Sequence, residues 1–421
     1  MNNFLMATVF LLAFVVFFGF FNEKVTKFTY EISLMLFSII IGAVLLAVRL
    51  TFGEDTTVSQ ILENLDFTKL EKFLMEGVLC FMLFAGSCHM RLLDFKKHAK
   101  TISLLAIGAT LLGAVFYGVL FYGISSLLGL NLSLPVCLMF GSITAPTDPI
   151  AATSILKKFN LPTNIGFIIE GESLLNDGVG VALFVCFSGI VAAQDNGGFF
   201  AVMAKELIGA ILVGIVITAI CFPIFKNTAD VTRQIFTSLL AVAGAYFACE
   251  VFGFSGAIAS VVCGVLFSAL RNLNEQRGFD WDLEYFDIFW EILDNLLNSV
   301  LYVMLGLSFF QILQMPHVLI LSVLAIVINL IGRSGSVGVS ALFAGRLPDG
   351  YDKLSFIKLL TWGGLRGGLS VALAMSTREL VSSEVYYIIL GGTYAIVFFT
   401  TIVQGMTMPK VYRSIENDLR K

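Results

Sequence analysis

Gly171-Glu172-Ser173-Leu174-Leu175-Asn176-Asp177-Gly178-Val179-Gly180 places two carboxylates inside an apolar run that extends from about residue 164 to 193. Thr144-Ala145-Pro146-Thr147-Asp148-Pro149-Ile150-Ala151-Ala152 places a third between two prolines, in a second such run. A charge at the centre of a bilayer-spanning helix costs ~2.5–3.5 kcal/mol on insertion scales. A chain that keeps several is using them. The prolines also break the helix at mid-depth, and such backbone is tolerated only where it is buried in protein or lines a cavity. These two stretches predict an all-α polytopic membrane protein with its polar groups gathered near the midplane.

Composition agrees. The chain has 421 residues, 57% hydrophobic and only 13% charged, with 40 Phe and 8 Pro. A soluble domain of this size could not hide that much apolar surface. The apolar runs are continuous and not alternating, which excludes an outer-membrane barrel. Cys80, Cys88, Cys137, Cys186, Cys221, Cys249 and Cys263 lie in or beside apolar runs without a CxxC pair, and read as small buried hydrophobes. His89, His98 and His317 are scattered, so no resident metal site is expected, and no cofactor.

A span needs about 20 apolar residues, which gives about thirteen helices in a single transporter domain over 1–421. They fall near 4–21, 30–50, 73–90, 101–128, 134–157, 164–193, 203–225, 232–252, 255–271, 291–313, 318–344, 355–377 and 385–408. The first lacks a basic leading region and a small-residue cleavage site, so it reads as a span and not as a signal peptide. Residues 54–72 and 275–291 mix polar and apolar positions and read as short interfacial helices. Little chain follows Pro409, so no large regulatory domain is expected there.

Of the 26 Lys and Arg residues, Arg333 and Arg366 lie inside spans. Only Arg49, Lys69, Lys72, Lys205 and Arg378 fall on one side, and the remaining 19 fall on the other. The positive-inside rule then puts the N-terminus outside and the C-terminus in the cytoplasm, across the inner (plasma) membrane. The span at 355–377 carries Gly363-Gly364-Leu365-Arg366-Gly367-Gly368, a glycine density that weakens a helix. This second break is seven spans after the first, so equivalent spans would cross the membrane in opposite directions. That spacing predicts inverted-topology repeats over about 4–193 and 232–408, joined by a linker helix at 203–225, with two broken helices crossing.

Within this frame Asp177 is the first candidate. Ser173 precedes it by four residues and shares its helix face, while Glu172 and Asn176 share the neighbouring face. A carboxylate with a hydroxyl one turn away offers oxygen ligands to a dehydrated alkali cation. Such a carboxylate holds either a proton or a metal ion, and that competition is the simplest mechanism of exchange. The bland reading is a carboxylate locked permanently to an arginine. Asp148 would neutralise the positive ends of half-helices, or only cap one of them. The carbonyl of Thr147, freed by the missing N–H of Pro149, could ligate a cation. Arg333 and Arg366 need anionic or carbonyl partners at this depth. Glu172 is the natural partner of Arg333, in a mainly structural pair, and Arg366 would satisfy loose carbonyls or a helix end.

With these residues in place the chain resembles the NhaP-type sodium/proton antiporters, of the first branch of the monovalent cation:proton antiporter superfamily. The resemblance rests on Thr144–Ala152, Gly171–Phe184, Gly332-Arg333-Ser334 and Gly363–Ala374. It implies that Asp177, Ser173 and the Thr147 carbonyl bind the ion, beside Asp148 and Asn176. It implies that Glu172 pairs with Arg333, and that the Asn176-Asp177 form accompanies electroneutral exchange of one cation for one proton. It further implies a core domain that moves against a dimerisation domain in elevator fashion, and a homodimer. One departure stands out: many relatives carry an ion-coordinating glutamate in the third span, where this chain has Leu83-Phe84-Ala85-Gly86. A nearby acidic family position corresponds to Arg91. With one carboxylate fewer, water or Asp148 would fill the gap, and the choice among Na⁺, Li⁺ and K⁺ stays open.

Two other classes of function fit a chain of this kind. A transport-inactive sensor or scaffold would bind ions without flux. An ion-coupled symporter of organic anions would want a larger cavity and a pair of sodium sites. A channel fits least, since no selectivity-filter segment is present. Cation-driven proton flux that depends on Asp177 separates the antiporter from both alternatives.

Overall fold

A computed structural model describes residues 2–52, 78–88, 100–148, 163–193, 199–277, 283–313, 318–343 and 351–419. Among these residues every regular element is helical. The chain runs through α1 (Asn2–Phe21), α2 (Tyr30–Phe52), α3 (Leu79–Cys88), α4 (Thr110–Leu127) and α5 (Leu134–Thr144). After α6 (Thr163–Ala193) come α7 (Phe199–Lys226), α8 (Val231–Phe252), α9 (Gly256–Gln276), α10 (Glu284–Leu313) and α11 (Val318–Phe343). The last four are α12 (Lys353–Trp362), α13 (Gly368–Ser376), α14 (Ser383–Phe398) and α15 (Gly405–Leu419).

Eight described helical stretches are long and apolar enough to cross a bilayer, among them Lys100–Leu127, Lys205–Lys226 and Val231–Phe252. Shorter apolar helices at Ile32–Val44, Leu79–Cys88 and Leu134–Thr144 accompany them. Their outward faces are apolar: Val216 and Ile220 on α7, and Leu240, Phe247 and Val251 on α8, are each more than half exposed. An exterior of this kind suits lipid and not water. The polar 54–72 stretch, and the part of the 134–157 span beyond Asp148, lie outside the described residues.

The other expected interfacial stretch, 275–291, is not a separate element. From Glu284 it forms the first turns of α10, which continues for 30 residues. The reason is that its apolar positions have a core to enter. Phe286 and Trp290 are fully buried, Phe286 meeting Phe225 at 5.3 Å and Trp290 meeting Phe84 at 4.6 Å between ring centroids. The Trp290 indole N–H donates to the Ser238 hydroxyl at 3.1 Å. Glu284 and Asp287 occupy the first turn, where the helix dipole favours acids, and Asp287 takes two hydrogen bonds from Arg271 at 2.9 and 3.0 Å. The polar residues that made the stretch look interfacial thus occupy the first turn of a long helix and staple it to α9. All seven cysteines are buried free thiols.

Both expected helix breaks are present. α5 stops at Thr144 because Pro146 has no N–H to donate back into the helix and its ring crowds the preceding turn. α12 stops at Trp362, and 363–367 run non-helically into α13. The two irregular segments meet, with the Asp148 amide donating to the Leu365 carbonyl at 2.8 Å. A π-helical stretch, Phe399–Gln404, follows α14 and serves the second break. Its Thr400 hydroxyl accepts from the Arg366 amide at 3.1 Å, and its Thr401 hydroxyl donates to the Arg366 carbonyl at 3.3 Å. Backbone groups freed from helix pairing are satisfied by side chains, as the absence of bulk water requires.

Candidate ion-binding site

The crossing of the two breaks sets the position of every candidate residue. α6 passes beside it and presents its polar turn toward the first break. Gly180, one turn beyond Asp177, makes that approach possible, since a Cβ there would fall on the ring of Pro146. The Asn176 side chain reads Thr147 on both sides. Its Oδ1 accepts from the Thr147 amide at 3.1 Å, and its Nδ2 donates to the Thr147 hydroxyl at 2.8 Å. The Ser173 and Thr147 hydroxyls are 2.8 Å apart. These bonds hold the irregular backbone in place.

Glu172 and Arg333 form a bidentate pair at 2.7 and 2.9 Å, with both side chains no more than 4% exposed. The same guanidinium also reaches the Leu360 carbonyl at 3.3 Å, and Asn176 Nδ2 approaches Glu172 Oε1 at 3.4 Å. Arg366 holds carbonyls of the opposite break: Nη1 donates to Ala145 and, at 2.6 Å, to Pro146. Its Nη2 donates to Asn329 Oδ1 at 3.3 Å. The second break therefore ties off the first.

Asp177 has a different environment from Glu172. It makes no hydrogen bond or ion pair among the described residues and is only half-buried. It faces a cavity that is also lined by Pro146, Thr147, Asp148, Asp294, Asn298 and Gly367–Ser370, with Leu79, Met82, Leu83 and Gly86 of α3 closing one wall. Asp148 accepts a short hydrogen bond from the Tyr302 hydroxyl of α10. It also lies against Gly367, the residue that opens α13 in extended conformation: a Cβ at Gly367 would come within 2.8 Å of the Asp148 Cβ and Cγ. Asp148 thus meets the positive end of a half-helix and the cavity at once.

Of the residues singled out in the sequence, Thr147, Asp148 and Asp177 line the cavity. Ser173 and Asn176 are buried behind Thr147, and Glu172, Arg333 and Arg366 brace the surrounding helices. Pro149 lies outside the described residues. Sequence reasoning missed Asp294, Asn298 and Tyr302. They recur at four-residue spacing on α10 and so share one helix face, a polar stripe that could have drawn notice. No group of three or more His, Cys, Asp or Glu with metal-holding geometry occurs among the described residues.

The family described as sodium/hydrogen exchanger, transmembrane, matches residues 60–413. The chain belongs to the sodium/hydrogen exchanger family. Membership makes it a multi-pass membrane protein that exchanges a cation for protons. The exchanger is 31% identical over 372 residues to the Na(+)/H(+) antiporter NhaP of Pseudomonas aeruginosa, covering 86% of this chain and 84% of that protein. It is also 31% identical over 295 residues to the Na(+)/H(+) antiporter NhaH of Halobacillus dabanensis, covering 68% of this chain and 70% of that protein. Its fold matches that of the sodium proton antiporter MjNhaP1 from Methanocaldococcus jannaschii with a TM-score of 0.77 and 20% identity, over 98% of this chain and 99% of that one. The exchanger is therefore built on the fold of that antiporter.

Proposed function

We propose that this protein exchanges Na⁺ or Li⁺, and in a further case K⁺, for H⁺ with one-to-one, electroneutral stoichiometry, and that cation and proton compete for the carboxylate of Asp177. The observation that carries the proposal is that Asp177 lines the cavity at the crossing of the two helix breaks without a protein partner among the described residues, while Glu172 on the same helix is locked to Arg333. Asp148, the carbonyl of Thr147 and Ser173 complete the shell, and Asn176 holds Thr147 in register. Both transported ions are substrates, and no resident cofactor enters the reaction.

Coupling follows from desolvation. A bare carboxylate crossing an apolar interface is costly, whereas one neutralised by a proton or a monovalent cation is not. Only the two loaded states then cross. The core that carries the breaks moves, elevator fashion, against a dimerisation domain, within two inverted repeats over about 4–193 and 232–408 joined at 203–225. The protein acts as a homodimer in the inner (plasma) membrane, N-terminus outside and C-terminus in the cytoplasm. Purified protein in liposomes with a trapped pH dye tests the proposal. Cation-dependent proton movement should occur in the wild type and vanish in Asp177→Asn. Binding without flux would point to a sensor instead.

A further inference from the structure

The cavity holds more acid than a one-for-one exchange needs. Asp148, Asp177 and Asp294 all line it, and the three carboxylates lie within electrostatic reach of one another. Asp294 belongs to α10, not to the breaks or to α6. Its Oδ1 accepts from Asn298 Nδ2 at 3.0 Å, a bond that fixes the carboxylate, and its Oδ2 takes no hydrogen bond among the described residues. Ser370, in the first turn of α13, supplies an independent observation. Its side chain is only 2% exposed, its hydroxyl has no hydrogen-bond partner among the described residues, and it lines the same cavity. Buried hydroxyls are nearly always paired, and one left unpaired on a cavity wall is a ready oxygen ligand.

Among the described residues no cationic side chain lines this cavity to balance the acids. Arg366 is turned away into the carbonyls of Ala145 and Pro146, Arg333 is held by Glu172, and the α13 N-terminus already faces Asp148. Like charges this close favour an ion of opposite sign, and the ligands are hard oxygens that suit a small alkali cation. We propose that Asp294 and Ser370 form a capture subsite, which takes the cation from water and begins its dehydration before transfer to Asp177. The proposal rests on Asp177 being the exchange site. It makes Asp294 a determinant of cation affinity supplied by α10, in a chain whose α3 offers no carboxylate at Ala85.

The test is sodium-dependent proton flux in liposomes, paired with equilibrium binding of radioactive sodium to the purified full chain. Asp294→Asn should raise the apparent KM for Na⁺ about tenfold, the lower end of electrostatic focusing by a charged cleft, and lower the maximal rate by less than that. Asp294→Glu should restore most of the affinity, and Ser370→Ala should raise KM by a smaller factor. Asp177→Asn should lose flux yet keep weak sodium binding, which the added Asp294→Asn abolishes. A KM within twofold of wild type in folded Asp294→Asn would overturn the subsite. So would loss of all flux at saturating sodium, which would place Asp294 in the exchange step itself. Flux persisting in Asp177→Asn would instead sink the underlying reading, and the binding assay would still judge Asp294 by itself.

Discussion

Glu172 and Asp177 stand five positions apart on α6 and meet opposite fates. Glu172 is closed off by Arg333, and removing one partner of such a buried pair strands the other, at a cost of about 3–5 kcal/mol. Glu172→Gln should therefore lower the melting temperature of the detergent-purified protein strongly, and Arg333→Met added to it should recover part of the loss. Asp177→Asn should do the reverse: its carboxylate has no hydrogen bond or ion pair to lose among the described residues, so the melting temperature should hold while exchange disappears. If the two variants show the same balance of stability and flux, the division of labour between them is wrong. The Glu172–Arg333 pair was legible in the sequence, because Arg333 lies deep within an apolar span and needs an acid. The role of Asn176 was less so. That its amide reads both the N–H and the hydroxyl of Thr147, 29 residues away, follows only from where the break passes α6.

At the scale of elements, proline and glycine announce the two breaks, and the structure places them where Pro146 and Gly363–Gly368 predict. What the sequence cannot carry is their mutual contact. The Asp148 amide pairs with a carbonyl 217 residues later, and Arg366 crosses to Ala145 and Pro146. The continuity of α10 was equally hidden, since its polar positions serve the first turn and the Arg271 staple and not a membrane surface. The crossing depends on close approach at Gly367. Gly367→Ala should displace the Asp148 carboxylate, destabilise by about 1–3 kcal/mol as overpacking does, and suppress exchange. Gly178→Ala, whose added methyl meets the Val261 side chain first, at 3.1 Å, should be much milder. Melting curves and initial flux rates on both variants check the pair, and equal effects would mean that the crossing is not tight.

For the whole molecule the central claim is that one carboxylate serves two substrates in turn. Its pH dependence has two limbs. Under the proposed competition, protons occupy Asp177 on the loading side at low pH and exclude the cation. At high pH the returning proton is scarce, so the cycle stalls. Initial rates measured across mildly acidic to alkaline pH should trace a bell, and more cation should push the acid limb to lower pH. A flat profile would contradict a shared site. The apolar exterior of α7 and α8 keeps the bundle in lipid, and the enclosed acids make an unloaded crossing costly, so proton leak without cation should be small. The most direct measurement takes wild type and Asp177→Asn in liposomes carrying a pH dye, with Na⁺, Li⁺ and K⁺ added in turn. Cation-dependent proton movement is expected in the wild type and none in the variant. Proton movement that survives in Asp177→Asn, or its absence with every cation in folded wild-type protein, would contradict it.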